Sequence, residues 1–157
     1  MKALRMLLGV VLAAGLMAAD VATHAAAARK PTAIVWTTFK AGMARAKKED
    51  KPTMIHFTTD WCGWCRKLEK EVYTVPEVIE LSQKFVCIRV DGDREKDVVQ
   101  YYKVRGYPTI LFTNSKREEV HRIPGYMPAE GFLSQMKTAL GKAGVKEETD
   151  KEDNAEK

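Results

Sequence analysis

The chain has 157 residues, of which 45% are hydrophobic and 30% charged, and its formal net charge is +5. This length suits one compact domain, and the composition excludes fibrous, low-complexity and wholly disordered proteins. Basic residues alternate with acidic ones, as in the Lys-Lys-Glu-Asp segment at 47–50, which indicates a solvated surface and argues against a nucleic-acid-binding protein.

The first part of the chain has the three regions of a secretory signal. Two basic residues precede an apolar run over 6–19, and the segment 20–28 is short and rich in alanine. The apolar run is shorter than the roughly 20 residues that a membrane-spanning helix needs. We therefore predict that 1–28 is a cleaved signal, that the protein is exported to the periplasm or secreted, and that no stable membrane insertion remains after cleavage. Neighbouring cysteines form disulfides in such oxidising compartments.

Helical and strand patterns alternate over 29–141, which we predict to be one domain. Apolar residues spaced three or four apart indicate the helices, the first of them capped by Thr37, and runs of β-branched residues indicate the strands. In chain order we predict a helix over 37–50, a strand over 53–58, a helix from the cysteines at 62 and 65 onward, a helix over 76–83, a strand over 85–90, a helix over 95–102, strands over 109–113 and 118–123, and a helix over 129–140.

This order of elements predicts an α/β fold, with a mixed central sheet of about four to five strands and helices on both faces. The segment 142–157 is charged, and only Val145 in it is strongly apolar. We predict that it forms a disordered tail.

Cys62 and Cys65 stand where a predicted strand gives way to a helix. Unpaired backbone amides and the helix dipole favour a thiolate at Cys62, the first of the two. Cys65 lies one turn deeper on the same face, close enough for the Cα separation of a disulfide. We interpret Cys62 as the attacking thiolate, which forms a mixed disulfide with a partner, and Cys65 as the resolving thiol.

Other uses of the pair stay open. A purely structural disulfide would close a very short loop and remove little entropy from the unfolded state. A zinc site needs four ligands, and no second cysteine pair is present. Its soft candidates in the mature chain are Cys62, Cys65, Cys87, His56 and His121. The alternative function is a non-catalytic module that binds a soft metal such as Cu(I) through the two thiols.

Two segments, Trp-Cys-Gly-Trp-Cys at 61–65 and Arg-Gly-Tyr-Pro-Thr at 105–109, resemble the thioredoxin superfamily. The resemblance covers nearly all of 37–141, and the stretch 57–78 is most similar to exported bacterial thioredoxin-like proteins related to the carboxy-terminal domain of DsbD. It implies a thioredoxin-like fold with a cis proline at Pro108, facing the active disulfide. It implies no bound cofactor.

Substrate-binding residues are expected around the cysteine pair. The resemblance implies that the main chain of Tyr107 and Pro108 pairs with a substrate chain, and that a small residue lies in the groove after the terminal hairpin. The two tryptophans that flank the nucleophile predict an apolar rim for docking. The expected substrate-binding residues are Trp61, Gly63, Trp64, Tyr107, Pro108 and Gly125.

The sequence departs from the family at three positions. His56 stands where thioredoxins carry a buried aspartate, and we hypothesise that it is the general base for Cys65, since imidazole titrates in the useful pH range. The alternative is a buried neutral histidine that the backbone satisfies. In the resemblance, Cys87 takes the position of the lysine that pairs with this aspartate, which would set His56 and Cys87 on neighbouring strands behind the active pair. For Cys87 we expect inert packing. Trp64 replaces the thioredoxin proline.

Together these features predict an exported thiol-disulfide oxidoreductase that acts on protein thiols and disulfides. We favour a reductase, because the pattern is closer to thioredoxin than to DsbA, whose large helical insertion is absent. A periplasmic reductase would receive its electrons from a membrane donor protein of the DsbD type.

Overall fold

The computed structural model describes residues 30–145. The predicted signal at 1–28 and the part of the predicted tail from 146 onward lie outside the described residues. The elements are β1 (Trp36–Thr37), α1 (Phe39–Glu49), β2 (Thr53–Thr58), α2 (Gly63–Glu71), α3 (Pro76–Ser82), β3 (Val86–Asp91), α4 (Lys96–Tyr101), β4 (Thr109–Thr113), β5 (Glu119–Pro124) and α5 (Ala129–Lys142).

The strands form one mixed sheet in the order β1-β3-β2-β4-β5. β3 pairs in parallel with both β1 and β2, whereas β4 is antiparallel to β2 and to β5. Central β2 therefore has a neighbour on each side, and its carboxyl end leads straight into the cysteine segment. The five strands confirm the predicted mixed sheet.

Alternate side chains of β2 enter two separate cores, as the period of a strand requires. On one face Met54 packs with residues of α2, α3 and α5, including Leu68 and Phe132. On the other face Ile55 packs with residues of α1 and α4, including Met43. Helices cover both faces of the sheet, which confirms the predicted layers.

Several elements, such as β3 and β5, begin and end one residue from their predicted bounds, and two differences are larger. Trp36 and Thr37 form the short strand β1 opposite Cys87 and Ile88, and the N-cap of α1 is Thr38, which makes no side-chain capping bond. The predicted Thr37 cap is therefore wrong, because pairing with β3 holds that residue in the sheet. Helix α5 ends at Lys142, beyond the predicted end at 140.

None of the helices within 30–145 is long and apolar enough to span a membrane.

Candidate active site

A disulfide joins Cys62 and Cys65 at the point where β2 gives way to α2, with Cα atoms 5.3 Å apart. Cys62 is the N-cap of α2, and its Sγ accepts a hydrogen bond from the backbone N–H of Cys65 at 3.1 Å. Both side chains are buried. The helix N-terminus thus points a backbone donor at the first sulfur, in a position where negative charge is stabilised.

Trp61 lies exposed on one side of the cysteine pair, with 67% of its surface accessible. Its Nε1 donates a hydrogen bond to Asp93 Oδ2 at 3.0 Å. Its ring meets that of Tyr107 edge to face, with the ring centroids 5.8 Å apart. These two contacts fix the orientation of an exposed aromatic ring next to the disulfide.

Trp64 is the exposed aromatic residue on the helical side of the pair, 58% accessible. Its ring packs against Tyr126, with centroids 5.5 Å apart, and Lys67 Nζ lies 5.2 Å from the Trp64 centroid. The Tyr126 hydroxyl donates to Glu71 Oε2 at 2.8 Å. Tyr126 was not among the predicted site residues, because the segment after β5 meets α2 only in the folded chain.

The bond between Tyr107 and Pro108 is cis, which confirms the expectation for Pro108. Gly125 donates its backbone N–H to the Pro108 carbonyl at 2.8 Å, and its φ of 93° lies in the left-handed region that favours glycine. One groove is lined by Trp64, Tyr107, Pro108, Gly125 and Tyr126. The fold therefore brings four of the six expected substrate-binding residues into a single groove.

Gly63 is the first residue of α2, between the two cysteines, and it is exposed. A Cβ built there would have only the Arg66 side chain near it, at 3.9 Å.

His56 lies on β2 and has no accessible surface. Its ring packs against Tyr73 and Trp36, at centroid distances of 5.3 and 5.8 Å. Neither ring nitrogen has a hydrogen-bond partner among residues 30–145. Burial, with a smaller contribution from Arg89, lowers the pKa of His56 to about 3. The expectation that this imidazole titrates in the useful pH range is therefore wrong, and no backbone group satisfies it either.

Cys87 pairs with Met54 in the sheet, whereas Arg89 is the residue opposite His56. His56 and Cys87 therefore lie on neighbouring strands, as expected, but two register positions apart. The Cys87 thiol is free, 4% exposed and directed at the Ser82 carbonyl, 3.6 Å away. Burial raises its pKa to about 12, which supports the expected inert packing.

A charged pocket of about 270 Å³ adjoins Cys65 and shares no lining residue with the groove of Trp64 and Pro108. In it Arg89 Nη2 lies 3.0 Å from Glu69 Oε1, and the Arg89 guanidinium lies 5.2 Å from the ring centroid of Trp36. Glu69 was not among the predicted site residues. The available signal was its spacing, since it follows Cys65 by four residues on α2 and so lies on the same helix face.

Metal ligands are sparse around this site. Within 30–145, no group of three or more histidine, cysteine, aspartate or glutamate side chains is placed to hold a metal ion. The two sulfurs, once reduced, are the soft ligands that the site offers.

Comparisons with known proteins agree with this geometry. The Thioredoxin-like domain family matches residues 39–140. The thiol:disulfide interchange protein DsbD of Vibrio vulnificus is 33% identical over 100 residues, which is 60% of this chain but only 17% of that protein.

Two solved structures have the same fold. A Thermus thermophilus thioredoxin is 26% identical with a TM-score of 0.66, over 72% of this chain and 92% of that one. The Neisseria meningitidis DsbD carboxy-terminal domain is 22% identical with a TM-score of 0.59, over 67% and 99%. These likenesses confirm the thioredoxin-like fold.

Proposed function

Since the chain belongs to the thioredoxin-like domain family, we propose that it exchanges disulfides with protein thiols through Cys62 and Cys65. The observation that carries this proposal is the position of Cys62 at the N-cap of α2, bonded to a cysteine one turn deeper. A reversible disulfide at a helix N-terminus is the arrangement that activates a thiol for exchange.

The exchange proceeds in two balanced steps. The Cys62 thiolate attacks one sulfur of a substrate disulfide, and the other substrate sulfur leaves as a thiolate. The Cys65 thiolate then attacks Cys62 Sγ, which releases the second substrate sulfur and forms the Cys62–Cys65 disulfide. Two electrons pass from the pair to the substrate, and the reverse sequence oxidises a substrate dithiol.

The substrate chain lies in the groove beside the disulfide. Pro108 and Tyr107 present main-chain groups there, which suits pairing with an extended peptide. Trp61 and Trp64 flank the nucleophile and supply exposed apolar surface for a partner. Gly63 and Gly125 leave room for the approach of that partner's backbone.

The resolving step requires an acceptor for the proton of Cys65. Burial lowers the pKa of His56 to about 3, so its imidazole is a weak base, and within 30–145 it makes no hydrogen bond through which a proton could reach it. Glu69 lines the pocket beside Cys65, and that pocket opens to solvent. We assign the acceptor role to Glu69 because of its position. A carboxylate is also a weak base toward a thiol, but Glu69, although ion-paired with Arg89, lines the same pocket as Cys65 and can pass the proton on to solvent. His56 remains a buried neutral neighbour.

The acceptor is identified by rapid mixing of the reduced protein with a chromogenic disulfide, with release of the second thiol followed against pH. Glu69→Gln is expected to slow this step about 100-fold, the lower range for loss of a general base. His56→Leu and the exposed control Glu80→Gln are expected to keep the wild-type rate. A slow His56→Leu beside an unaffected Glu69→Gln would return the base role to His56.

We place this activity in the periplasm, in the direction of reduction. The signal pattern of the first 28 residues and the similarity to DsbD support export. A membrane protein of the DsbD type is the proposed electron donor, because an oxidising compartment would otherwise leave the pair as a disulfide.

Reduction of insulin by dithiothreitol tests the function. The full chain is expected to accelerate insulin precipitation, Cys62→Ser to abolish the acceleration, and Cys87→Ser to retain it. Equilibration of the pair with glutathione then gives the direction: a reductase is expected nearer to about −270 mV than to about −120 mV. Stoichiometric Cu(I) binding by the two thiols without any acceleration would favour the metal-binding alternative.

A further inference from the structure

A second, wider cleft of about 740 Å³ continues from the substrate groove. The two share Tyr107, Pro108 and Gly125 as lining residues. From there the cleft extends between the end of α4, the loop that precedes β4, and β5. A chain that crosses the groove beside Cys62 can therefore run on into this cleft.

The cleft has a strong excess of positive charge. Four basic residues and a single acidic residue, Glu119, line it. Arg122 engages Glu119 through two hydrogen bonds, Nε to Oε1 and Nη2 to Oε2, each 2.8 Å long. The other three basic residues have no carboxylate within 4.0 Å in the described part of the chain. These residues are Lys103, Arg105 and Arg117.

Two of the three unpaired cations have a positive backbone φ. Lys103 has a φ of 52° and Arg117 a φ of 70°, both in the left-handed region. A side chain raises the energy of that region, so glycine or asparagine is the usual residue there. Lys103 closes helix α4, where its N–H donates to the Gln100 carbonyl, and Arg117 lies in the turn between β4 and β5, where its N–H donates to the Asn114 carbonyl. Glycine suits both positions, so these two cations can be removed without adding backbone strain.

We propose that this cleft binds an acidic segment of the protein substrate, adjoining the cysteine that reacts with Cys62. The inference rests on the proposed function, because the segment is the continuation of the chain that lies against Tyr107 and Pro108. Carboxylates form two-point hydrogen bonds with guanidinium groups. Exposed Tyr101, also in the lining, offers a hydroxyl and a ring to the same segment.

The charged cleft acts on recognition and leaves the chemical step unchanged. Charges at the rim of an interface raise the association rate, and salt screens them. Selectivity for acidic segments should therefore be found in kcat/KM, should fall with rising salt, and should leave kcat unaltered.

Two peptides test this recognition. Each carries one cysteine capped with glutathione as a mixed disulfide, and they differ only in whether the flanking residues are Glu and Asp or Gln and Asn. For the reduced full chain, kcat/KM for the acidic peptide is expected to exceed that for the neutral peptide about tenfold at low salt. The preference is expected to disappear in high salt, as screening requires.

The variant Lys103→Gly/Arg117→Gly is expected to lose most of this preference. Its melting temperature should be no lower than that of the wild type, because glycine suits both left-handed positions. The control Lys48→Gln/Lys137→Gln removes the same charge from two exposed helix surfaces outside the cleft and should keep the preference. Equal loss in the two double variants would overturn the proposal, since net charge alone would then explain it.

Binding without chemistry separates the two proposals. The oxidised full chain is titrated with labelled peptides that carry serine in place of cysteine, and binding is followed by fluorescence polarisation. Tighter binding of the acidic peptide supports the cleft proposal, whether or not the disulfide peptides are turned over. Absence of turnover of both disulfide peptides would instead contradict the proposed function. Equal binding of both peptides overturns the cleft proposal. So does displacement of the labelled acidic peptide by an oligonucleotide at a lower concentration than by the unlabelled acidic peptide.

Discussion

Replacement of His56 by leucine should make the protein markedly more resistant to acid. The imidazole is fully buried on β2, and its two nitrogens are unsatisfied within 30–145. Its pKa is lowered from 6.5 to about 3, chiefly by burial. Leucine has a similar size and no polar side-chain atom, so His56→Leu removes the free-energy cost of burying an unpaired imidazole.

The sign follows from the two pKa values. Between pH 6.5 and about 3 the unfolded chain binds a proton at His56 and the folded chain does not, so the stability of the wild type falls as the pH falls. Each pH unit in this window costs about 1.4 kcal/mol, and a change from pH 7 to 4.5 therefore costs the wild type roughly 3 kcal/mol through this one group. At pH 7 the variant should already gain about 1 kcal/mol or more, because no buried polar atom is left unpaired.

Denaturant unfolding of the oxidised proteins at pH 7 and pH 4.5 measures this difference. The stability advantage of His56→Leu over wild type is expected to grow by roughly 3 kcal/mol at the lower pH. Met54→Leu, on the same strand and also buried, changes no titratable group and should follow the wild type at both pH values. If the curves of His56→Leu and wild type shift in parallel with pH, the account of His56 as a buried neutral base is wrong.

Two further predictions concern residues around the site. In the reduced native protein, alkylation at pH 8 should modify Cys62 and spare Cys87, whose pKa of about 12 and burial keep it protonated; mass spectrometry would refute this by finding Cys87 modified without denaturant. Gly92→Ala should reduce kcat/KM for peptide disulfides several-fold and cost about 1–3 kcal/mol, because a Cβ there would lie 2.1 Å from the Tyr107 hydroxyl and displace the ring that packs on Trp61. Gly106→Ala has open space around its Cβ and should behave as wild type, so equal effects of the two substitutions would contradict the steric explanation.

Local patterns were enough to predict much of the fold. β2 and β4 have the predicted bounds, 53–58 and 109–113, because each is a β-branched segment between clear breakers. Strand β1 was missed, since two residues have no periodicity and only their pairing with Cys87 and Ile88 makes them a strand. Such pairing is a tertiary contact, which no window of sequence contains.

In the site too, local motifs were predictable and tertiary contacts were not. The cysteine pair and Pro108 lie in contiguous motifs, and the structure has them in the expected arrangement. The state of His56 depended on burial and on the strand register that sets Arg89 opposite it, and neither follows from spacing. The basic cleft was also missed, because Lys103 and Arg117 are brought together only when β4 and β5 pair.

The acidity of the Cys62 thiol tests the central claim most directly. In the reduced Cys65→Ala protein, the rate of alkylation by iodoacetamide is measured against pH, with Cys87 silent because of its pKa of about 12. The account predicts that the rate reaches half its maximum near pH 7, well below the value of about 8.5 for an ordinary cysteine, because the thiolate caps helix α2. A midpoint at about 8.5 or higher would contradict it, since the N-cap would then give the first sulfur no advantage as a nucleophile.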